Sequence, residues 1–288
     1  MRARGMVWLV LSVAVGLALA GCGSDSDSSD APTTTAPAAT RPEVTITAHD
    51  YSFDLPAQIP AGYVDVTIDN QGKEDHQAQL VKLGSLSFDE FKSSDDITKV
   101  PADTVFVGGP NEAVPGKSTT ATLKLDPGKY AVVCFIPSPK DGKPHEAKGM
   151  VKQVEVVESD ESVETAPVAD STIELSEFTF IVPDDFDGKG VVDITNVGNQ
   201  IHELVMVKLN DGKTATDAAK YFGAPKGTPP FTTIPGVGGI VGLSSKQHAW
   251  LTMDLDPGKY ALICFFPDPN KGGQPHVLEG MLKEVTIS

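Results

Sequence analysis

Leu125-Asp126-Pro127-Gly128-Lys129-Tyr130-Ala131-Val132-Val133-Cys134-Phe135 returns later in the chain as Leu255-Asp256-Pro257-Gly258-Lys259-Tyr260-Ala261-Leu262-Ile263-Cys264-Phe265. Only two positions differ, both between branched aliphatic residues. Asp-Pro-Gly reads as a turn, because proline fixes φ and glycine tolerates positive φ. The residues after it read as a strand, with Tyr130, Val132 and Cys134 on one side and Tyr260, Leu262 and Cys264 answering them. A chain that repeats a turn, a strand and a cysteine in this way is a duplicated β protein.

The repeat extends outward from this stretch. Asn70-x-Gly72-x-x-x-His76 comes back as Asn196-x-Gly198-x-x-x-His202, and Ile46, Tyr51, Phe53 and Pro56 are answered by Ile173, Phe178, Phe180 and Pro183. Val64, Val66 and Ile68 alternate with Asp65, Thr67 and Asp69, a period of two that puts one face inward. Short strands, frequent glycine and proline and little helical periodicity predict an all-β fold with one small sandwich in each half. Short helices are expected only around Phe88 to Phe91 and Thr214 to Phe222. The acidic stretch 159–170 is the natural linker, giving expected domains at 43–158 and 171–288.

Each half ends in the same set of side chains: His76, Cys134, His145 and Met150, then His202, Cys264, His276 and Met281. After each Tyr-to-Cys strand a proline-rich turn reverses at Asp141-Gly142 or Gly272-Gly273, which folds the histidine back towards the cysteine. Ten residues separate Cys134 from His145, eleven separate Cys264 from His276, and four separate that histidine from the methionine in both copies. Two imidazoles, a thiolate and a thioether make the donor set of a blue-copper site, with the thioether as the distant axial ligand. His49 and His248 fall outside the pattern, since their repeat counterparts are Ser176 and Ser118.

Asn-x-Gly…His, Gly-x-Tyr-x-x-x-Cys and His145 followed by Gly149-Met150 together resemble the cupredoxins, the blue-copper electron-transfer proteins. The resemblance covers nearly everything from Val44 to Ser288. It implies two tandem Greek-key sandwiches, each with a type 1 copper near one end. His76 and His202 would be the first imidazole ligands, Cys134 and Cys264 the thiolates, His145 and His276 the second imidazoles, and Met150 and Met281 the axial thioethers. Phe135 and Phe265 are expected in the apolar shell. An unidentified redox protein is the implied partner. Enzymatic activity is not expected, because multicopper oxidases and copper nitrite reductases need further histidine ligands, often paired as His-x-His, and no such pair occurs.

The chain opens with Arg2 and Arg4, an apolar run from Met6 to Ala20, and Leu19-Ala20-Gly21-Cys22. This is the order of a secretory signal, and its ending resembles a bacterial lipoprotein signal, with residues 1–21 removed and Cys22 lipidated. Residues 22–42, built mainly of Gly, Ser, Asp, Thr, Ala and Pro, have nothing to bury and read as a tether spanning on the order of 25 Å r.m.s.. The expected location is extracytoplasmic, anchored to the bacterial membrane by lipid. Of 288 residues, 39 are acidic and 23 basic; losing Arg2 and Arg4 with the signal takes the net charge from −16 to −18. Nucleic-acid binding, which needs a basic footprint, is excluded. Three readings follow from the residues: electron transfer at two copper sites, copper capture or buffering at the same sites, and a metal-free binding module with Cys134 and Cys264 joined as a disulfide.

Overall fold

The computed structural model describes residues 40–94, 97–234 and 236–288. The signal, Cys22 and the tether as far as residue 39 lie outside the described residues. From there to Ser288 the chain is one compact unit, and among the described residues no helix is long and apolar enough to cross a membrane.

The predicted alternation becomes the strand Gly62–Asn70, in which buried and half-buried residues take turns along the whole length. It pairs in parallel with Glu43–His49 and antiparallel with Ser118–Leu125. Gln79–Lys82, Val105–Gly108, Gly128–Val133 and Val151–Val157 form the facing sheet. The chain passes from the first sheet to the second after Asn70, returns for Ser118–Leu125, and crosses again at the Asp126-Pro127-Gly128 turn. That is a Greek-key sandwich, and the second half repeats it.

The halves are joined along both sheets. One eight-stranded sheet runs from Thr179–Ile181 in the second half to Ser52–Asp54 in the first, and its central contact pairs His248–Asp254 with Ser118–Leu125. The facing sheet is continuous through Gly239–Leu243 and Val105–Gly108. In each case a strand meets its own repeat counterpart, so apart from the short strands Gln58–Pro60 and Phe231–Thr232 the strand order reads as a palindrome about the seam. The register follows the same rule. Asn111 N–H donates to the Gly239 carbonyl at 3.2 Å and Val241 N–H to that of Gly109 at 3.1 Å, a reciprocal pair around the Pro110–Ile240 bridge. The halves are therefore related by a local pseudo-two-fold axis, the arrangement of an isologous dimer made within one chain.

Apolar contacts close the seam. Ile240, Leu243, Phe106 and Leu123 are fully buried, and Phe106 meets Phe266 edge-on with ring centres 5.7 Å apart. Gln79, 1% exposed, donates its amide to the carbonyls of Gly242 in the other half and Leu80 in its own, both at 3.0 Å. The core that results runs from Val44 to Ile287 through both halves.

The two predicted helices form at Phe88–Lys92 and Ala215–Gly223, each begun by a capping box, Ser87 with Glu90 and Thr214 with Asp217. The second covers a smaller apolar cluster that includes Val205, Phe231 and Ile263. The acidic stretch 159–170 is laid along the first half. Tyr63 N–H donates to the Val163 carbonyl at 2.7 Å, and Lys124 pairs with Glu164. A Cβ at Gly62, whose φ is +97°, would sit 2.6 Å from the Val163 oxygen.

Truncating a seam residue should affect the whole molecule. Leu243→Ala is expected to lower the unfolding free energy by about 2–5 kcal/mol, read from the denaturant midpoint. A loss below about 1 kcal/mol would mean that the seam contributes little packing.

Candidate metal centres

Each centre is assembled by backbone hydrogen bonds that tie the Cys, His and Met segments to one another. Cys134 N–H donates to the Met150 carbonyl at 3.2 Å, Met150 N–H to that of His145 at 3.0 Å, and Glu146 N–H to that of Cys134 at 2.9 Å. The second half repeats this with Cys264, Met281, His276 and Val277 at 3.2, 3.0 and 2.8 Å. The glycines before the methionines, Gly149 and Gly280, sit at φ of +103° and +105°. No atom lies within 4 Å of where their Cβ would be, so the requirement for glycine is conformational rather than steric.

The opposite wall is the Asn-x-Gly…His segment. Asn70, fully buried, donates its amide to the carbonyls of Glu74 and Ala113 and accepts from Gly72 N–H at 2.8, 2.6 and 2.8 Å. Asn196 does the same with Gln200, Leu243 and Gly198. Gly72 is obligatory for space: a Cβ there would lie 2.7 Å from His76 Nε2 and 2.6 Å from Asp50 Oδ1.

These two walls bring the side chains together. In the first half His76 Nδ1 is 3.1 Å from His145 Nδ1, and Cys134 Sγ is 3.4 Å from His145 Nδ1 and 4.0 Å from His76 Nδ1. In the second, His202 Nδ1 is 3.1 Å from His276 Nδ1, and Cys264 Sγ is 3.5 Å from the latter. All six residues are fully buried, as are Met150 and Met281. Among the described residues these are the two clusters of three or more His, Cys, Asp or Glu groups whose ligand atoms converge. Both cysteines are free thiols, each inside its own histidine pair, so the disulfide reading does not describe this structure.

A hydrogen bond on the far side fixes the ring of the second histidine in each half. His145 Nε2 faces Glu74 Oε2 at 3.0 Å, and His276 Nε2 faces Gln200 Oε1 at 3.1 Å. His76 Nε2 is 3.4 Å from Asp50 Oδ1, and His202 Nε2 is 3.8 Å from Glu177 Oε1. These two are electrostatic contacts without hydrogen-bond geometry. An acceptor at Nε2 keeps the proton there and leaves Nδ1 as a lone pair. In His145 and His276 that lone pair faces the other histidine's Nδ1 and the thiol in a buried space, a donor set that suits a cation.

Burial, reinforced by the neighbouring histidine, holds His76 below the usual imidazole range and takes His202 down to about 4; burial also lowers His276. Burial pushes the Cys134 thiol up to about 12, and Cys264 likewise rises, with Glu203 adding to the effect. Neutral imidazoles are ready to ligate. A thiol held protonated by burial ionises only when a cation arrives to pair with it.

Two aromatic contacts were not recognised as site features in the sequence. Tyr51 lies edge-on to the His145 ring with centres 5.2 Å apart, and Phe178 does the same to His276 at 5.1 Å. The expected shell residue Phe265 turns instead into the smaller cluster, against Phe222 at 5.1 Å. Phe135 packs partly buried against the main core. His49 and His248 pair with Asp54 and Asp193, away from both centres.

No protein-family profile and no curated protein matches the chain. Similar solved structures include auracyanin A, a "blue" copper protein from Chloroflexus aurantiacus (16% identity, 41% of this chain and 100% of that one, TM-score 0.29). Reduced rusticyanin is similar at 24% identity over 40% of this chain and 78% of its own, with a TM-score of 0.28. Copper nitrite reductase from Nitrosomonas europaea spans both halves, covering 86% of this chain and 94% of its own at 14% identity and a TM-score of 0.24. At such scores the site stands on the distances above.

Histidines that are neutral when folded but take up a proton when unfolded make stability rise with pH across the interval between the two pKa values. For His202 that interval runs from about 4 to the ordinary 6.5. The metal-free protein is therefore expected to lose stability as pH falls from 6.5 to 4, and His202→Gln to lose part of that slope. An unchanged slope in the variant, followed by urea unfolding at several pH values, would contradict the burial of a neutral imidazole.

Proposed function

We propose that the protein is a one-electron carrier with two type 1 copper sites, held outside the cytoplasm by lipid on Cys22. The observation that carries this is the donor set itself: two Nδ1 atoms and a thiol converge in each half, with a methionine tied to the same backbone knot. His76, Cys134, His145 and Met150 would hold one ion, and His202, Cys264, His276 and Met281 the other. A copper ion there supplies a one-electron couple, because thiolate suits Cu(I) and imidazole suits Cu(II).

The chain's own contribution is rigidity and dryness. The second histidine of each centre, on a turn between two paired strands and braced at Nε2, changes little when the charge at the centre changes. Full burial of the ligands keeps water out, so the reading favours electron transfer without substrate chemistry. The nitrite reductase and oxidase among the similar structures are enzymes by their titles. The two clusters found among the described residues each have the make-up of a carrier site, with no further converging group beside them.

Binding of copper is tested by adding Cu(II) to the metal-free protein and following visible absorption. The parent is expected to develop an intense thiolate-to-copper band that saturates at two ions per chain, one for each cluster. Cys134→Ser and Cys264→Ser should each halve it, and the double variant should remain colourless while folded. A coloured double variant would contradict the proposal. Tight Cu(I) binding without reversible oxidation would turn the function to copper capture.

A further inference from the structure

The two centres share their ligands but not their surroundings, and the main difference is a reciprocal exchange. Before and after the first histidine the chain carries Glu74 and Gln77; the second copy carries Gln200 and Glu203. As a result His145 gives its distal N–H to a carboxylate at 3.0 Å, whereas His276 gives its own to a neutral amide at 3.1 Å.

We propose that the two centres have different reduction potentials, the first being the lower, because Glu74 makes His145 a stronger donor to an oxidised ion than Gln200 makes His276. This rests on both centres holding copper. A charge-assisted bond to the remote nitrogen draws the imidazole towards imidazolate, and the added electron density favours the higher charge state of the metal. Glu74 is well placed to stay ionised: Tyr51 donates to its other oxygen at 2.9 Å, and Lys140 lies 2.8 Å from that oxygen. Lys140 is 67% exposed while Glu74 is 5% exposed, so solvent screens the lysine's opposing effect more than it screens the carboxylate.

The second centre has acidic groups too, but none bonded to the ring of His276. Asp268 stands behind Gln200, in the place that Ser138 takes in the first half, and Glu279 is paired with Lys271. Glu203 lies on the cysteine side, accepting from Phe265 N–H at 2.9 Å. Asp50 and Glu177 face the first histidines in both halves at 3.4 and 3.8 Å and so largely cancel in the comparison. An electron given to the pair by a one-electron redox protein then rests on the second centre, with no bond or proton changing place.

Spectroelectrochemical titration of the copper-loaded protein tests this, with Cys264→Ser and Cys134→Ser used to assign the first and second centres. The expected result is two potentials, the first centre lower. Glu74→Gln, which copies what the second half already has, should raise the first centre alone by at least a tenfold change in its Cu(II)/Cu(I) ratio, 59 mV for a one-electron couple. Gln200→Glu should lower the second alone, and Glu203→Gln should leave the order unchanged. One shared potential, the reverse order, or an unmoved first centre in Glu74→Gln would overturn the inference. A parent protein with no blue band would instead remove the copper reading beneath it.

Discussion

Two buried imidazole nitrogens 3.1 Å apart in each half, with a buried thiol beside them, bring three soft donors to one point, which is the constraint the rest of the structure serves. Most of the local architecture in both halves serves to hold that arrangement. The buried asparagine that binds two carbonyls, the glycine with no room for a Cβ, the left-handed glycine before the methionine and the crossed Cys–Met–His backbone bonds all position three polar side chains against one another. The acceptors at Nε2 of His145 and His276 then leave Nδ1 of those rings for a metal. With burial lowering His76, His202 and His276 and raising both thiols, binding a cation carries the charge change.

The seam between the halves places two such knots in one compact unit. Because each sheet continues through its own repeat counterpart, one edge of each half's two sheets is covered, which lessens the hazard of unpaired edges. Phe266, two residues beyond Cys264, reaches across to Phe106, and Gln79 reaches back to Gly242. The centres are thus built on a shared core, with their surroundings free to diverge while their ligands stay alike.

The sequence revealed the fold class and the eight ligand candidates because duplication repeats them within one chain, and internal agreement separates a site residue from a chance histidine. The strand Gly62–Asn70 was legible from its period of two, and the two short helices form where they were expected. The seam was not legible. Ser118–Leu125 and His248–Asp254 read as ordinary half-buried strands, and nothing local says that each will choose the other as its neighbour. Nor was the bracing of the rings. Glu74 precedes His76 by two residues, yet its partner is His145, 71 positions away. Tyr51 and Phe178 were visible as matching strand residues, but their contact with the second histidine depends on how the two sheets close.

The most direct test of the account is anomalous diffraction at the copper edge from crystals of the copper-loaded protein. Two peaks per chain are predicted, one among His76 Nδ1, His145 Nδ1 and Cys134 Sγ, and one among His202 Nδ1, His276 Nδ1 and Cys264 Sγ. Copper bound only at surface histidines such as His49 or His248, or a single ion joining the halves, would contradict it.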